Sequence, residues 1–333
     1  MKLGKLWNPK KDVAGTGDHP GTAPARAAPP APLPPVPQAD VDALFRTWLF
    51  NDITDGKPAN STAEHGVLHA LDRLVSSMHF GSHLVPRQPD VLPQLIVALH
   101  DQQTSTAQLA AKIGQDASLI AETIRDANSP AYHPTSRITS LDKAIMVLGN
   151  KGLRMTVAKA FLRPIIDTRA GPLARRASPL LWAQTEQCAT ACCMLAGAHR
   201  VDPFDAFLAG LLKNLGTTIV LRVIDQFVHD AHAIYSEAFC HKAEGMALKL
   251  SANIAALWQM PATICNALLE ASPTEASNQS ALGMTVQTSD RLSKLALLIR
   301  HQRIDEAAIE GWGMSEAEWH YCQKLVAAEK PAS

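Results

Sequence analysis

The chain has 333 residues, of which 47% are hydrophobic and 19% charged, an ordinary composition for a globular protein long enough to bury a large core. Lysine plus arginine and aspartate plus glutamate number 31 each, so no net field draws the chain toward nucleic acid or an anionic membrane surface. The six cysteines form no Cys-x-x-Cys pair and no disulfide-like framework, which points to small core thiols in a reducing compartment.

Residues 1–39 hold nine of the 22 prolines. Such a run favours extended polyproline II over a packed core, so it reads as a tail or semi-rigid spacer. Leu3, Leu6 and Trp7 at its far end form a candidate docking motif. The start has no apolar centre long enough for a signal peptide, and no run of about 18 consecutive apolar residues follows. The expected location is the cytoplasm, with no membrane partner.

From Asp40 the apolar residues recur at helical spacing. Val41, Leu44, Phe45, Trp48 and Leu49 make one stripe; Val67, Leu68, Leu71, Leu74, Val75 and Met78 make a second; Leu92, Leu95, Ile96 and Leu99 make a third. Ser105 and Gln108 fit a capping box for a helix through Ile113, ended by Gly114. Asp116 or Ser118 begins the next helix, and Ser140 begins another that Gly149 closes. Trp182 to Ala198 is rich in Ala and Cys, as in a helix covered on most of its surface.

Asp202 to Gly216 reads as one buried helix. Asp202 is placed to cap it, Pro203 suits its first position, and Gly216 could end it in a left-handed conformation. Ile219 to Phe227 follows, then a helix with Ala247, Leu250, Ile254 and Leu257, and one begun by Pro261. Residues 271–281 read as a loop. Two final helices carry Leu292, Leu295, Leu298 and Ile299, then Trp319, Cys322, Leu325 and Val326, the last opened by a Ser315–Glu318 capping box. Long alternating strands are absent, so the fold class is all-α.

Several segments together carry a resemblance: Leu92-Pro-Gln-Leu95, Gly114-Gln-Asp116, Asp126-Ala-Asn-Ser129, Ile138-Thr-Ser-Leu141, Ala144-Ile145 and Leu148-Gly149. Leu181-Trp182, Ala206 to Leu212 and Trp258-Gln-Met-Pro261 continue it. In order and spacing, the stretch from about Val91 to Leu282 resembles an HDOD domain, the HD-related output domain of bacterial signalling proteins. The organisation this implies is a tail (1–39), a helical extension (40–86), an HDOD domain (87–282) and C-terminal helices (283–333). Within the HDOD domain, a helical N-terminal lobe (87–170) packs on an HD-type bundle (171–282).

In catalytic HD relatives the bundle gathers His and Asp around one or two divalent metals. The resemblance places Gln184, Lys213-Asn214, Ala271 and Ser272 at those positions, with a further His position near Ala247. Lysine has three donors and no acceptor, and asparagine offers only a neutral carbonyl. Without a metal, water is not activated for attack on a phosphodiester. The expectation is a non-catalytic protein with no cofactor and no metal. Its partner would be another signalling protein, and a cyclic dinucleotide or other small anion is the ligand class left open. The alternative is a metal-dependent HD phosphohydrolase or phosphodiesterase with residual activity, and below it a nucleic-acid-binding regulator.

Three further signals carry bland readings beside the sharp ones. Lys213 could hold an anion or pair with a carboxylate inside the bundle, but the favoured reading lays its stem along the helix with the ammonium in water. Thr106 to Asn128 has a helix-turn-helix cadence, yet its net charge of −1 speaks against phosphate contacts. His65 with His69, and His229, His232 and His241 near Glu237 and Cys240, have metal-like spacings without a recognisable third ligand; exposed helix histidines are the favoured reading.

Overall fold

The computed structural model describes residues 38–51, 57–77, 105–129, 132, 136–166, 171–230, 233–271, 279–304 and 315–327. The stripe at 92–99, His232 and Ser272 lie outside them.

The regular structure of the described residues is helical apart from one pair of two-residue strands. β1 (Lys57–Pro58) runs parallel to β2 (Ala233–Ile234). This bridge ties the N-terminal extension to the second half of the chain. The all-α class holds.

The first helix, α1 (Gln38–Asn51), buries Val41, Phe45, Leu49 and Phe50. Leu44, assigned to that stripe from sequence, is 41% exposed, and Phe50 takes its place. α2 (Ser61–Ser77) buries Val67 and Leu71. In α3 (Thr106–Ile113) the reciprocal cap is formed, the Ser105 amide donating to Gln108 at 2.9 Å and the Gln108 amide donating to Ser105 at 3.3 Å. α4 (Ala117–Ala127) is capped by Asp116, which accepts from the Leu119 amide at 3.2 Å.

Helix α5 (Leu141–Ile166) is two helical segments broken at Gly149, whose φ of 62° and ψ of −178° only glycine adopts readily. Asn128 joins two of the sequence segments named above. Its amide donates to the Ile138 carbonyl and accepts from the Ile138 amide, both at 2.8 Å. Asp126 accepts from Thr156 at 2.7 Å and Lys159 at 2.9 Å, fastening α4 to α5. The Thr106–Asn128 pair therefore packs as the N-terminal lobe, against α5.

The bundle is built around α6 (Pro172–His199), which packs on α7 (Pro203–Leu212) and on α11 (Ala281–Arg300). Gly171 at the start of α6 has no side chain to cap with. Asp225, near the end of α8 (Leu215–Phe227), does it instead, accepting from the Leu173 and Ala174 amides at 2.9 Å each. α8 packs on α9 (Glu237–Leu257), and α10 (Ala262–Glu270) packs on both α9 and α11. α12 (Glu316–Ala327), opened by the Ser315–Glu318 capping box, packs on α11. Leu257 is 47% exposed and lies outside the core stripe expected of it.

The Asp202–Gly216 segment departs from its reading in one respect. Asp202 does cap it, accepting from the Phe204 and Asp205 amides. The helix ends at Leu212, however, turns at Lys213–Asn214, and resumes as α8 with Gly216 inside. Gly216 is needed for close approach rather than for a left-handed cap: a Cβ there would run into the Ala247 carbonyl of α9. Pro203–Phe227 is long enough to cross a membrane and holds an 18-residue window with a mean hydropathy of 1.5, but 89% of that window is buried within the bundle.

Candidate functional site

The turn between α7 and α8 places Lys213 and Asn214 at the floor of a cavity of about 330 Å³. Gln184 of α6, Ala247 of α9 and Ala271 after α10 line the same cavity. The described positions picked out by the HD resemblance, distant in sequence, are thus brought together.

Lys213 does not reach out to water. It is 7% exposed, and its Nζ lies 2.7 Å from Oδ1 of Asp290 on α11. The snorkelling reading is corrected by packing: α11 sets a carboxylate against the ammonium and the side chain is buried. Asp290 also receives Lys294 Nζ on its other oxygen at 2.9 Å and Gln184 Nε2 at 2.7 Å. Lys294 Nζ then lies 2.6 Å from Asp42 of α1 and 3.5 Å from Glu244 of α9, and Arg46 of α1 meets Glu244 at 2.7 Å. Three cations and three carboxylates form one continuous cluster, so the buried charge sums to zero.

The neutral groups finish the floor. Asn214 donates to Gln184 Oε1 and to Thr185 Oγ1, and Gln184 also donates to Ser293 at 3.0 Å. Ser251 donates to the Lys213 carbonyl and accepts from the Gly216 amide at 2.8 Å, which fixes the turn. Phe45, Leu49, Leu181 and Leu248 give the walls apolar surface, beside Thr217, His241 and Lys242.

Burial alone pushes the Asp290 carboxyl upward, but Lys213 and Lys294 beside it more than offset this and hold it below the usual carboxylate range. Burial opposes the charge on Lys294, yet Asp290, Asp42 and Glu244 raise it well above an ordinary lysine. Both shifts keep Asp290 and Lys294 ionised near neutral pH.

The divalent metals that the HD superfamily implies do not fit this donor set. Asp290 is the carboxylate next to the HD-pair position, and both its oxygens already face ammonium groups. An ion there would meet two positive charges and an amide floor. Among the described residues no group of three His, Cys, Asp or Glu is close enough to hold a metal. His65, His69, His229 and His241 are exposed, and Cys240 is buried.

Sequence reasoning missed Asp42, Arg46, Glu244, Asp290 and Lys294. A signal was present. Lys294 interrupts the leucine-rich run of α11 from Leu292 to Leu298, with Asp290 one helical turn before it, and Asp42 and Arg46 lie on either side of Phe45 in α1.

An all-α bundle with an HD-type floor and an N-terminal helical lobe defines a class, the HD superfamily. Residues 85–273 match the HDOD domain, more than half of the sequence, and the chain belongs to that family. The fold is shared with an HDOD domain protein from Geobacter sulfurreducens (19% identity, TM-score 0.55, covering 80% of this chain and 90% of that one). It is also shared with a protein of Shewanella amazonensis SB2B named as a candidate metal-dependent phosphohydrolase (17% identity, TM-score 0.54, covering 81% and 100%). A protein of Marinobacter aquaeolei VT8, named as a candidate signal transduction protein, is a third (18% identity, TM-score 0.52, covering 82% and 65%). No curated protein matches the sequence.

Proposed function

We propose that this HDOD protein is a non-catalytic signal-transduction component that acts by binding another protein. The observation that carries this is the ion-pair cluster. Where hydrolysis would require a metal and an activated water, the chain puts Lys213 and Lys294 on Asp290. The scaffold is kept while the ligand set is replaced, as suits a module that recognises rather than hydrolyses. The signalling name of one structural relative and the family itself support the same direction.

The phosphohydrolase name of another relative favours the alternative, metal-dependent hydrolysis, but that chemistry needs imidazole and carboxylate ligands that Gln184, Lys213 and Asn214 do not supply. The deciding experiment is crosslinked affinity capture with the full chain and with a chain lacking residues 1–39. A partner captured stoichiometrically and saturably is the expected result. Failure of both preparations to retain any partner would remove the proposal.

A further inference from the structure

The cavity is roofed by a helix that stands outside the HDOD match. α1 contributes Asp42, Phe45, Arg46, Leu49 and Phe50 to its walls, whereas the matched residues begin at 85. We propose that α1 is a removable cap, and that its seat on α6, α9 and α11 receives an amphipathic helix of a partner protein when α1 lifts.

Three observations carry this. First, the seat reads charge in a fixed order. Lys294 takes an acid, Asp42, at 2.6 Å, and Glu244 takes a base one helical turn later, Arg46, at 2.7 Å. Any helix filling it needs an acid and a base four apart astride an apolar stripe like that of Val41, Phe45 and Leu49. Second, α1 fills its seat incompletely, since about 330 Å³ stays open beneath it; a bulkier stripe would pack better.

Third, α1 is held unequally along its length. Its C-terminal end is pinned through backbone groups: Asn51 pairs reciprocally with the Tyr235 backbone, at 3.0 and 2.9 Å, and Arg176 donates to the Phe50 carbonyl at 2.7 Å. The preceding turns are fastened by the ion pairs of Asp42 and Arg46. The cap would hinge at Asn51 and open from the other end, where the hold on Val41 and Phe45 is set by side-chain charge. Lifting α1 strips Lys294 of Asp42, so the cluster around Lys213 changes with the cap.

This inference rests on the protein-recognition reading and names the chemistry of the partner. Its test uses hydrogen exchange on the full chain and a labelled peptide of residues 38–51 as the probe. Amides of α1 are expected to exchange about tenfold or more faster than those of α7 and α8, and equal protection would overturn the cap. Asp42→Asn, which keeps the shape and removes the charge, is expected to speed exchange in α1 alone and to raise affinity for the peptide about tenfold. A peptide carrying Asp42→Lys and Arg46→Glu is expected not to bind. Equal binding of both peptides, or no gain in the folded variant, would overturn the charge-selective seat. If Asp42→Asn fails to fold, the exchange pattern of the unaltered chain still decides. A slow α1 would leave the non-catalytic reading standing, and metal-dependent turnover would sink that reading without touching the cap.

Discussion

At the scale of single residues, the account turns on Lys213 and the carboxylate it meets. Removing one partner of a buried ion pair leaves the other uncompensated, so Lys213→Met should cost about 3 kcal/mol, toward the low end for such losses because Lys294 still faces Asp290. Urea unfolding measures it. The pH dependence follows from the two shifts. Asp290 is held below its unfolded value, so its stabilisation is complete above about pH 4 and is lost as pH falls through the depressed value. Lys294 is raised, so its contribution is complete below about pH 10 and is lost as pH rises through the elevated value. Urea midpoints should hold a plateau between about pH 5 and 8 and fall on the acid side, with a shallower acid slope in Lys294→Met; above about pH 8 they should fall again, because burial pushes the Cys193 and Cys240 thiols up to about 11 and about 12 while unfolded thiols ionise. The substitution of Lys213 could be read from sequence. Its counterion could not, because nothing in the local pattern says which of the acids on other helices lies opposite.

Among the elements, the three glycines with structural reasons behave differently. Gly149 holds a conformation that a side chain strains, so Gly149→Ala should destabilise by about 1–3 kcal/mol. Gly216→Ala drives a Cβ into the Ala247 carbonyl of α9 and should cost at least about 1–3 kcal/mol. Gly197, exposed near the end of α6 with open space at its Cβ, should accept alanine with a gain of about 0.5–1 kcal/mol. Thermal or urea melts of the three variants check the order. Helix starts were legible wherever the cap is local, as at Ser105, Asp116, Asp202 and Ser315. The start of α6 was not, because its cap, Asp225, arrives from another helix. Gly216 misled for a related reason: a glycine after an apolar run signals either a left-handed end or a close crossing, and only the position of α9 chooses between them.

Across the whole molecule, the helical class and the HDOD core were readable because periodicity and motif order are properties of the sequence alone. The resemblance also brought Gln184, Lys213, Asn214 and Ala271 to one cavity. What it left out was the roof. Asp42 and Arg46 on α1 and Asp290 and Lys294 on α11 lie outside residues 85–273, yet they supply four of the six charges of the cluster. The extension and the C-terminal helices therefore complete the site of the domain they flank.

The most direct measurement is a calorimetric titration of the full chain with manganese, run alongside hydrolysis of bis(p-nitrophenyl) phosphate. With the lysines seated on Asp290, neither stoichiometric uptake of the ion nor hydrolysis above buffer is predicted. One equivalent of bound manganese with turnover that Lys213→Ala abolishes would contradict the account.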